Sequence, residues 1–311
     1  MGLDLKQHVL PTAIVIVAFA LVVALSGALE RARPEFPVEY ADSDLALQGK
    51  KLKGYSLGAE GLIADWYWIL SLQYLGGKLV SSQDETIRID DLTALNPRLL
   101  HPYLENATEL DPKFTAAYSF GAIVLPGIDV AKAIDLTEKG IRNNPESWRL
   151  YQYLGYIHWR QKDYASAAAT YEAGSKIAGA PPFMRQMQAA MNAAGGSRET
   201  ARAIYQQMFN ESEDEQSKSN AQIRLFELES MDEVEAVNRI LAGLKERNGQ
   251  CPQRVSETFA SLRSVTLPAG NEFEIDSGGN LADPTGVPYD FDRAACTIAL
   301  SRDSKIPKPL P

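Results

Sequence analysis

Histidine and cysteine, the residues that most often bind transition metals or act as nucleophile and base, are scarce in this chain. Its 311 residues include three histidines and two cysteines. The histidines, His8, His101 and His158, lie in unrelated sequence contexts. No metal-ligand spacing, phosphate-binding loop or nucleophile motif occurs in the sequence. The sequence therefore predicts a protein that is not an enzyme, has no catalytic residues and needs no cofactor or metal.

An excess of basic residues is also missing. The chain has 31 lysines and arginines against 40 aspartates and glutamates, a formal net charge of −9. A nucleic-acid-binding protein is expected to carry a basic face, so we expect no nucleic-acid partner. Part of the acidic charge lies in residues 211–215, which we interpret as a solvated surface rather than a docking site for a basic partner.

Charged residues are absent from a long stretch near the N-terminus. Residues 7–29 contain no Asp, Glu, Lys or Arg, and residues 13–25 are continuously apolar. At about 1.5 Å per residue this stretch gives roughly 35 Å of helix, enough to cross a hydrocarbon core of about 30 Å. We expect residues 7–29 to span the membrane within an N-terminal anchor, residues 1–33. A cleaved signal peptide is the alternative, because small residues at 26–28 lie near a possible cleavage point.

Beyond this stretch, small residues recur at a fixed interval. Ala133, Ala167 and Ala201 are equally spaced. Two helices can approach closely only where side chains are short, so we expect these positions to lie where paired helices meet. The same period relates three further sets: Gly121, Gly155 and Ala189; Thr137, Tyr171 and Tyr205; and Gly140, Gly174 and Met208.

A period of about 34 residues is the signature of the tetratricopeptide repeat (TPR), a helix–turn–helix unit that stacks into a solenoid. Asp111-Pro112 and Asn144-Pro145 resemble the ends of such units, since proline stops the second helix. We therefore expect an all-α fold with a TPR-type helical solenoid over residues 57–249. It has about four repeats, of which the first and last are degenerate, and the last runs through Ala236 and Ile240.

The first helix of this solenoid is predicted over residues 57–75. Apolar residues at spacings of three and four predict its buried face: Leu62, Ile63, Trp66, Ile69, Leu70, Gln73 and Tyr74. The aromatic residues at 66–68 fit a core helix, with an aromatic anchor at the membrane interface as the alternative. Residues 34–56 are expected to form an extended linker, because Pro34 and Pro37 disfavour helix.

The sequence changes character after residue 249. Residues 250–300 predict a small mixed α+β module, with a short helix at 255–262 and strands at 273–275 and 297–300. Residues 301–311 are proline-rich and predict an extended tail. Four aspartates in this region are interpreted as turn residues, with calcium binding as the alternative: Asp276, Asp283, Asp290 and Asp292.

Both cysteines, Cys251 and Cys296, lie in this module. An isolated pair is what a protein in an oxidising compartment uses as a single crosslink, so we predict a disulfide between them. Two unrelated buried thiols are the alternative. A persistent disulfide would also place the module on the extracytoplasmic side.

The stretch at 283–289, Asp-Pro-Thr-Gly-Val-Pro-Tyr, resembles the Asp-Pro-x-Gly-x-Pro-Tyr turn of type II secretion pseudopilins. Threonine stands where those proteins usually have an aromatic residue, and their N-terminal processing site is absent. As a whole the chain resembles a family of bacterial membrane-anchored TPR proteins that carry this small C-terminal module. The resemblance implies a single-pass protein of the bacterial inner membrane with its soluble part in the periplasm, and it specifies no reaction.

The first helix of each repeat lines the concave face of such a solenoid. Six residues are predicted to face a partner there: Tyr118, Arg149, Gln152, Tyr156, Trp159 and Arg160. Aromatic rings offer contact area at little entropic cost, and arginine captures carboxylates, so the set suits an extended peptide or a protein terminus. The alternative is that Tyr156 and Trp159 only pack between repeats.

Taken together, these patterns predict a membrane-anchored extracytoplasmic scaffold that binds protein partners. Its role would be the assembly or stabilisation of a cell-envelope complex such as a pilus, secretion or other membrane machine, and a pilin-like subunit is one expected partner. The alternative is a permanent structural subunit of a large membrane or filament assembly.

Overall fold

The computed structural model describes residues 5–32, 49–82 and 88–307, with only the backbone of residues 5–14, 30 and 32. The chain divides into two units, residues 1–47 and 48–311. The first unit contains helix α1 (Leu5–Ala32), whose side chains from Val15 to Leu29 are exposed. Across the described part of the chain, no helix combines the length and the apolar character needed to cross a membrane. The span at 7–29 stays a prediction. Residues 34–48 of the expected linker lie outside the described residues, whereas residues 49–53 of it form a short helix rather than an extended segment.

The described residues of the second unit are mostly helical, as predicted. The helices are α2 (Gly49–Lys53), α3 (Glu60–Ser81), α4 (Leu100–Leu110), α5 (Thr115–Val124), α6 (Val130–Asn143), α7 (Trp148–Arg160), α8 (Tyr164–Ser175), α9 (Phe183–Ala194), α10 (Arg198–Glu211) and α11 (Glu215–Asn248). Each helix from α3 to α10 packs on the next one along the chain, and α5 also packs against α7, which gives a solenoid-like stack.

Short side chains lie where the paired helices meet, which confirms their predicted packing role. The side chains of Ala133, Ala167 and Ala201 are all completely buried. A Cβ atom placed on Gly155 of α7 would lie 2.8 Å from the ring of Tyr171 in α8. Tyr171 is itself 2% exposed, so the ring fills the space that the missing side chain leaves.

The period of the small residues is also the period of the helix pairs. Helices α6, α8 and α10 begin at equal intervals along the chain, in step with the three alanines. Asp129 caps α6 by accepting a hydrogen bond from the Lys132 amide at 3.1 Å, and Asp163 caps α8 by accepting one from the Ser166 amide at 3.1 Å. Ser197 holds the third cap position without a side-chain bond. The two aspartate caps satisfy amides that would otherwise lack partners and set where each second helix begins.

The predicted buried face of α3 is wrong. The helix buries Ala64, Tyr67, Ser71 and Leu75. Three residues of the predicted face are exposed instead: Leu62 by 74%, Trp66 by 59% and Ile69 by 41%. Helix α3 packs on α4 but has no preceding solenoid helix among the described residues, so only one of its two apolar faces is covered.

The last predicted repeat is also wrong, because α11 is one continuous helix of 34 residues. It ends at Gly249, whose φ of 72° lies in the left-handed region that glycine adopts easily. Its N-terminal half packs on α10, where Asp232 pairs with Arg198 at 2.9 Å and also with Arg202. Its C-terminal half supports the module that follows.

The C-terminal module contains a short helix and two hairpins, in agreement with the predicted mixed module. Val237 and Leu241 of α11 form one core with Leu262, Leu281 and Ile298 of the module. The elements are a 3₁₀ turn (Val255–Thr258), α12 (Phe259–Leu262), β1 (Glu274–Ile275), β2 (Leu281–Ala282), β3 (Asp290–Asp292) and β4 (Thr297–Ala299). Strands β1 and β2 pair antiparallel, as do β3 and β4.

Hydrogen bonds from two residues of α11 hold this module, and a disulfide crosslinks the module itself. The predicted disulfide is confirmed, since Cys251 and Cys296 are bonded. Asn238 accepts a hydrogen bond from the Ile298 amide at 2.7 Å and donates one to the Ile298 carbonyl at 3.3 Å. The Tyr289 hydroxyl donates to Glu233 at 2.5 Å, and burial raises the pKa of Glu233 to about 7.

The buried carboxylate of Asp283 organises the turn at 283–289. It accepts hydrogen bonds from the Thr285 amide at 2.8 Å and the Val287 amide at 3.1 Å, and from the Ser304 hydroxyl at 2.5 Å. Burial acts to raise the pKa of Asp283, but these hydrogen bonds outweigh it and the pKa lies below its ordinary value. Because Ser304 bonds here and Ile306 is buried, the described part of the predicted tail is docked rather than extended; residues 308–311 lie outside the description.

We expect Gly155→Ala to destabilise the protein. The added methyl group would press on the buried ring of Tyr171, and overpacking of this kind costs about 1–3 kcal/mol. Gly243→Ala in α11 is the matched control, because a Cβ there meets no atom within 4 Å; it should gain roughly 0.5–1 kcal/mol. Urea unfolding measures both, and equal effects at the two sites would contradict the close approach of α7 and α8.

Glu233→Gln should make stability less dependent on pH. The pKa of Glu233 is raised from 4.5 to about 7, so its stabilising protonated form is fully present below about pH 4.5 and is lost as the pH rises through 7. At pH 8 the glutamine variant should be more stable by up to about 3 kcal/mol, since glutamine still accepts the Tyr289 hydrogen bond. This difference should shrink towards pH 4.5. Exposed Glu246→Gln in the same helix is the control, and a pH-independent difference for Glu233→Gln would be evidence against the raised pKa.

Candidate partner-binding groove

A groove of about 920 Å³ lies between α5, α7 and α9, bounded on one side by residues 88–90. Most of its lining is apolar or aromatic. The lining residues are Arg88, Ile89, Asp90, Ala122, Ile123, Pro126, Gly127, Gln152, Tyr153, Tyr156, Ile157, Arg160, Gln161, Tyr171, Phe183 and Met187.

Helix α7 forms the floor of the groove, because one side of this helix is buried against its neighbours and the other side faces the groove. Leu150 and Leu154 are buried against the neighbouring helices. Gln152, Tyr156 and Arg160 follow one another at intervals of four residues, which places them on one side of the helix, and that side faces the groove. Tyr156 is 44% exposed, so its ring is available for contact.

The neighbouring helices add apolar side chains to the two flanks. Ile123 of α5 is 48% exposed in the groove. Phe183 and Met187 of α9 are four residues apart and therefore share a face, and both line the opposite flank. Phe183 also packs edge-on against Trp148 of α7, with ring centroids 6.1 Å apart. The groove therefore extends across α5, α7 and α9, which are the first helices of three consecutive helix pairs.

Residues 88–90 form a wall of the groove, a role that sequence reasoning missed. The Leu92 amide donates a hydrogen bond to the Gly127 carbonyl at 2.7 Å, and the Leu92 side chain is buried. Ile89 stays 65% exposed and lines the groove. The sequence shows only a polar segment between two helices. The contact that fixes the wall joins residues far apart in the chain, so no local pattern predicts it.

The charged residues of the groove leave one positive charge in excess. Arg88 donates two hydrogen bonds of 2.9 Å to Asp90, and Arg160 Nη2 lies 3.6 Å from the same carboxylate. The hydrogen bonds from Arg88 are the main reason that the pKa of Asp90 lies below its ordinary value. Two guanidinium groups against one carboxylate suit the binding of an anionic group.

Some of the predicted partner-facing residues line the groove, and others lie outside its lining. Gln152, Tyr156 and Arg160 line the groove. Trp159 packs on the cluster of α8 and α9, with its ring centroid 5.5 Å from that of Tyr156. Arg149 lies outside the lining and stacks on Trp148, with its Cζ atom 4.7 Å from the ring centroid. Trp159 therefore follows the alternative interpretation of packing, while the role of the three lining residues stays a prediction.

The prediction that Tyr118 faces a partner is wrong. Its side chain is completely buried, and its ring fills the space beside Gly140. The hydroxyl accepts a hydrogen bond from Asn143 at 3.3 Å and donates one to the Thr108 carbonyl at 3.5 Å. Burial is the main cause of its raised pKa. Tyr118 holds α5, α6 and α4 together instead.

The histidines with described side chains lie outside the groove. His158 Nδ1 is 3.8 Å from Asp163, and His101 Nε2 is 3.8 Å from Glu105. Burial lowers the pKa of His101 below its ordinary value. The described residues contain no cluster of His, Cys, Asp or Glu that could hold a metal ion. The side chain of His8 lies outside the described residues.

Comparison of the chain with models of known protein families and with curated proteins gives no match. The chemistry of the groove and the repeat pattern are therefore the grounds on which a function is inferred.

Proposed function

We propose that this chain is a membrane-anchored extracytoplasmic scaffold of the TPR type, which binds an extended segment of a partner protein in the groove. The observation that carries the proposal is the groove itself, with Tyr153, Tyr156 and Phe183 beside the guanidinium groups of Arg88 and Arg160. The partner segment would carry apolar side chains and an acidic group or a terminal carboxylate.

The regularity of the helix pairs supports the TPR assignment. Three pairs, α5/α6, α7/α8 and α9/α10, follow each other with their second helices equally spaced along the chain. Buried small residues recur at the same interval, which is the spacing and the packing that define this repeat. Helices α3 and α4 form a further pair before them, so that four pairs precede α11 in the described part of the chain.

The composition of the groove supports a peptide or protein terminus as the partner. Aromatic side chains supply rigid contact area at low entropic cost, and an exposed arginine binds a carboxylate through parallel hydrogen bonds. Gln152 and Gln161 add amide groups that can bond to a peptide backbone. A groove of about 920 Å³ fits a short extended segment better than a folded surface.

The disulfide and the apolar N-terminal stretch support the proposed location. Disulfides persist in oxidising compartments such as the bacterial periplasm. Residues 7–29 supply the proposed single membrane span. The resemblance of the turn at 283–289 to that of pseudopilins suggests a partner from the machinery that builds pili or secretes proteins.

Charge removal at Arg160 should weaken partner capture. We expect Arg160→Gln to reduce recovery of the partner about tenfold, because a hydrogen bond to a charged group contributes roughly 1.5–3 kcal/mol. Arg160→Glu should reduce it further, since it also places a carboxylate near Asp90. The measurement is quantitative mass spectrometry of proteins that co-purify with the tagged full chain from native membranes.

Arg293→Glu, an exposed arginine in the turn between β3 and β4, is the matched control and should capture the partner like the unmodified chain. Circular dichroism checks that helix content is unchanged. Equal capture by the Arg160 variants would remove this residue from the site. Recovery of the chain only as a fixed-stoichiometry component would instead favour the permanent structural subunit.

The proposed compartment predicts the redox state of the cysteines. Full chain purified without reductant and then denatured should show no free thiol, and reduction should lower the free energy of unfolding by roughly 3–4 kcal/mol in a chain-entropy model. The double variant Cys251→Ser, Cys296→Ser is the control, whose stability should not respond to reductant. Two free thiols in the native protein would contradict an oxidising compartment.

A further inference from the structure

The turn between α2 and α3 displays two apolar side chains in a fixed conformation. Tyr55 is 78% exposed and Leu57 is 97% exposed, whereas Ser56 between them is buried. The Ser56 hydroxyl donates a hydrogen bond to Glu60 at 2.5 Å and also lies 3.0 Å from the Lys53 carbonyl, which places it against both flanking helices. These contacts hold Leu57 at a φ of 50°, a region that leucine rarely adopts. Strain of this kind is kept mainly where it serves a function.

Further exposed apolar side chains follow this turn on α3. Leu62, Trp66 and Ile69 follow at spacings of four and three, so they share one face of the helix. They are 74%, 59% and 41% exposed respectively. Contiguous exposed apolar surface on a soluble unit marks a surface that contacts another molecule or a membrane.

Positive charge lies beside this apolar surface. The five-residue helix α2 contains Lys50, Lys51 and Lys53. The chain as a whole, in contrast, has a net charge of −9. The Lys50 side chain is 85% exposed, although its Nζ lies 3.9 Å from Glu109, and Lys51 and Lys53 are exposed as well. On the α3 side, Asp65 carries an exposed opposing charge. The lysine cluster and the apolar face together form what we call the lysine–leucine edge: Lys50, Lys51, Lys53, Tyr55, Leu57, Leu62, Trp66 and Ile69.

We propose that the lysine–leucine edge binds the surface of a bilayer that contains anionic lipid. Leu57 and Trp66 enter the interfacial layer, where tryptophan and tyrosine are favoured, and the lysines contact lipid phosphates. Charge complementarity favours anionic lipid, because each lysine near an anionic membrane surface is attracted to it. A symmetric contact with a second copy would instead bring the lysine clusters of both chains together. The proposal goes beyond the proposed function, because it requires neither the groove nor a span at residues 7–29.

The test places a fluorescent reporter at the tip of the turn. The two native cysteines are bonded to each other, so Leu57→Cys in the full chain can be labelled alone with an environment-sensitive fluorophore. With phosphatidylcholine vesicles containing about a third phosphatidylglycerol, we expect a blue shift of the emission and quenching by spin-labelled lipid. Tyr55→Cys is a second position in case Leu57→Cys disturbs the turn. Ser277→Cys, exposed in the β1–β2 turn, is the control and should show neither effect.

A lysine variant tests the charge requirement. Replacing Lys50, Lys51 and Lys53 by glutamine in the labelled chain should lower quenching with the anionic vesicles to the level seen with phosphatidylcholine alone. Quenching that is equal with anionic and with pure phosphatidylcholine vesicles, in the labelled chain and in its lysine variant alike, would overturn the requirement for anionic lipid. A blue shift that appears without vesicles and grows with protein concentration would show that a second copy covers the edge, and would overturn the proposal.

Flotation of the chain with the vesicles after alkaline extraction reports separately on the proposed anchor. If the chain floats but the labels at 55 and 57 stay in water, the proposed edge is wrong and the anchor stands. If the label is quenched by lipid but alkaline extraction releases the chain, the edge stands and the anchor is wrong. The two proposals can therefore fail independently.

Discussion

The close approach of paired helices at short side chains is the constraint on which the rest of the second unit depends. Gly155 can sit against the ring of Tyr171 only because it has no side chain, and the same holds for Gly140 and Tyr118. Once these contacts set the spacing of α5 to α8, one side of each helix is buried and the other is left free. The groove is formed by the free sides of three such helices, and its shape follows from that spacing.

The groove combines this regular scaffold with an irregular wall. Backbone bonding of Leu92 to Gly127 brings Arg88 and Asp90 next to Arg160, which belongs to a helix much further along the chain. The hydrogen bonds from Arg88 are the main reason that the pKa of Asp90 is lowered. Asp90 contacts both arginines, and one positive charge is left in excess. An acidic group on a partner could replace part of this pairing, because exposed ion pairs contribute little free energy and exchange easily.

Helix α11 joins the solenoid to the C-terminal module through its unbroken length. One half pairs with α10 through Asp232, and the other carries the hydrophobic core of the module. A module of about 50 residues buries little apolar surface of its own. The disulfide and the hydrogen bonds between Asn238 and the Ile298 backbone compensate for this small core. The buried Glu233 works against this at high pH, since its ionisation inside the core is unfavourable.

Several features of the chain follow from local chemistry or from a repeated pattern, and these can be predicted without the fold. The interval between Ala133, Ala167 and Ala201 predicts the helix pairs, and the isolated Cys251 and Cys296 predict the disulfide. Which apolar surfaces are covered depends instead on how the helices pack. Apolar periodicity cannot distinguish the two faces of α3, and the burial of Tyr118 and the wall at residues 88–90 depend on residues far away in the chain. Burial is a property of the neighbours that pack on a helix, and a local pattern does not contain those neighbours.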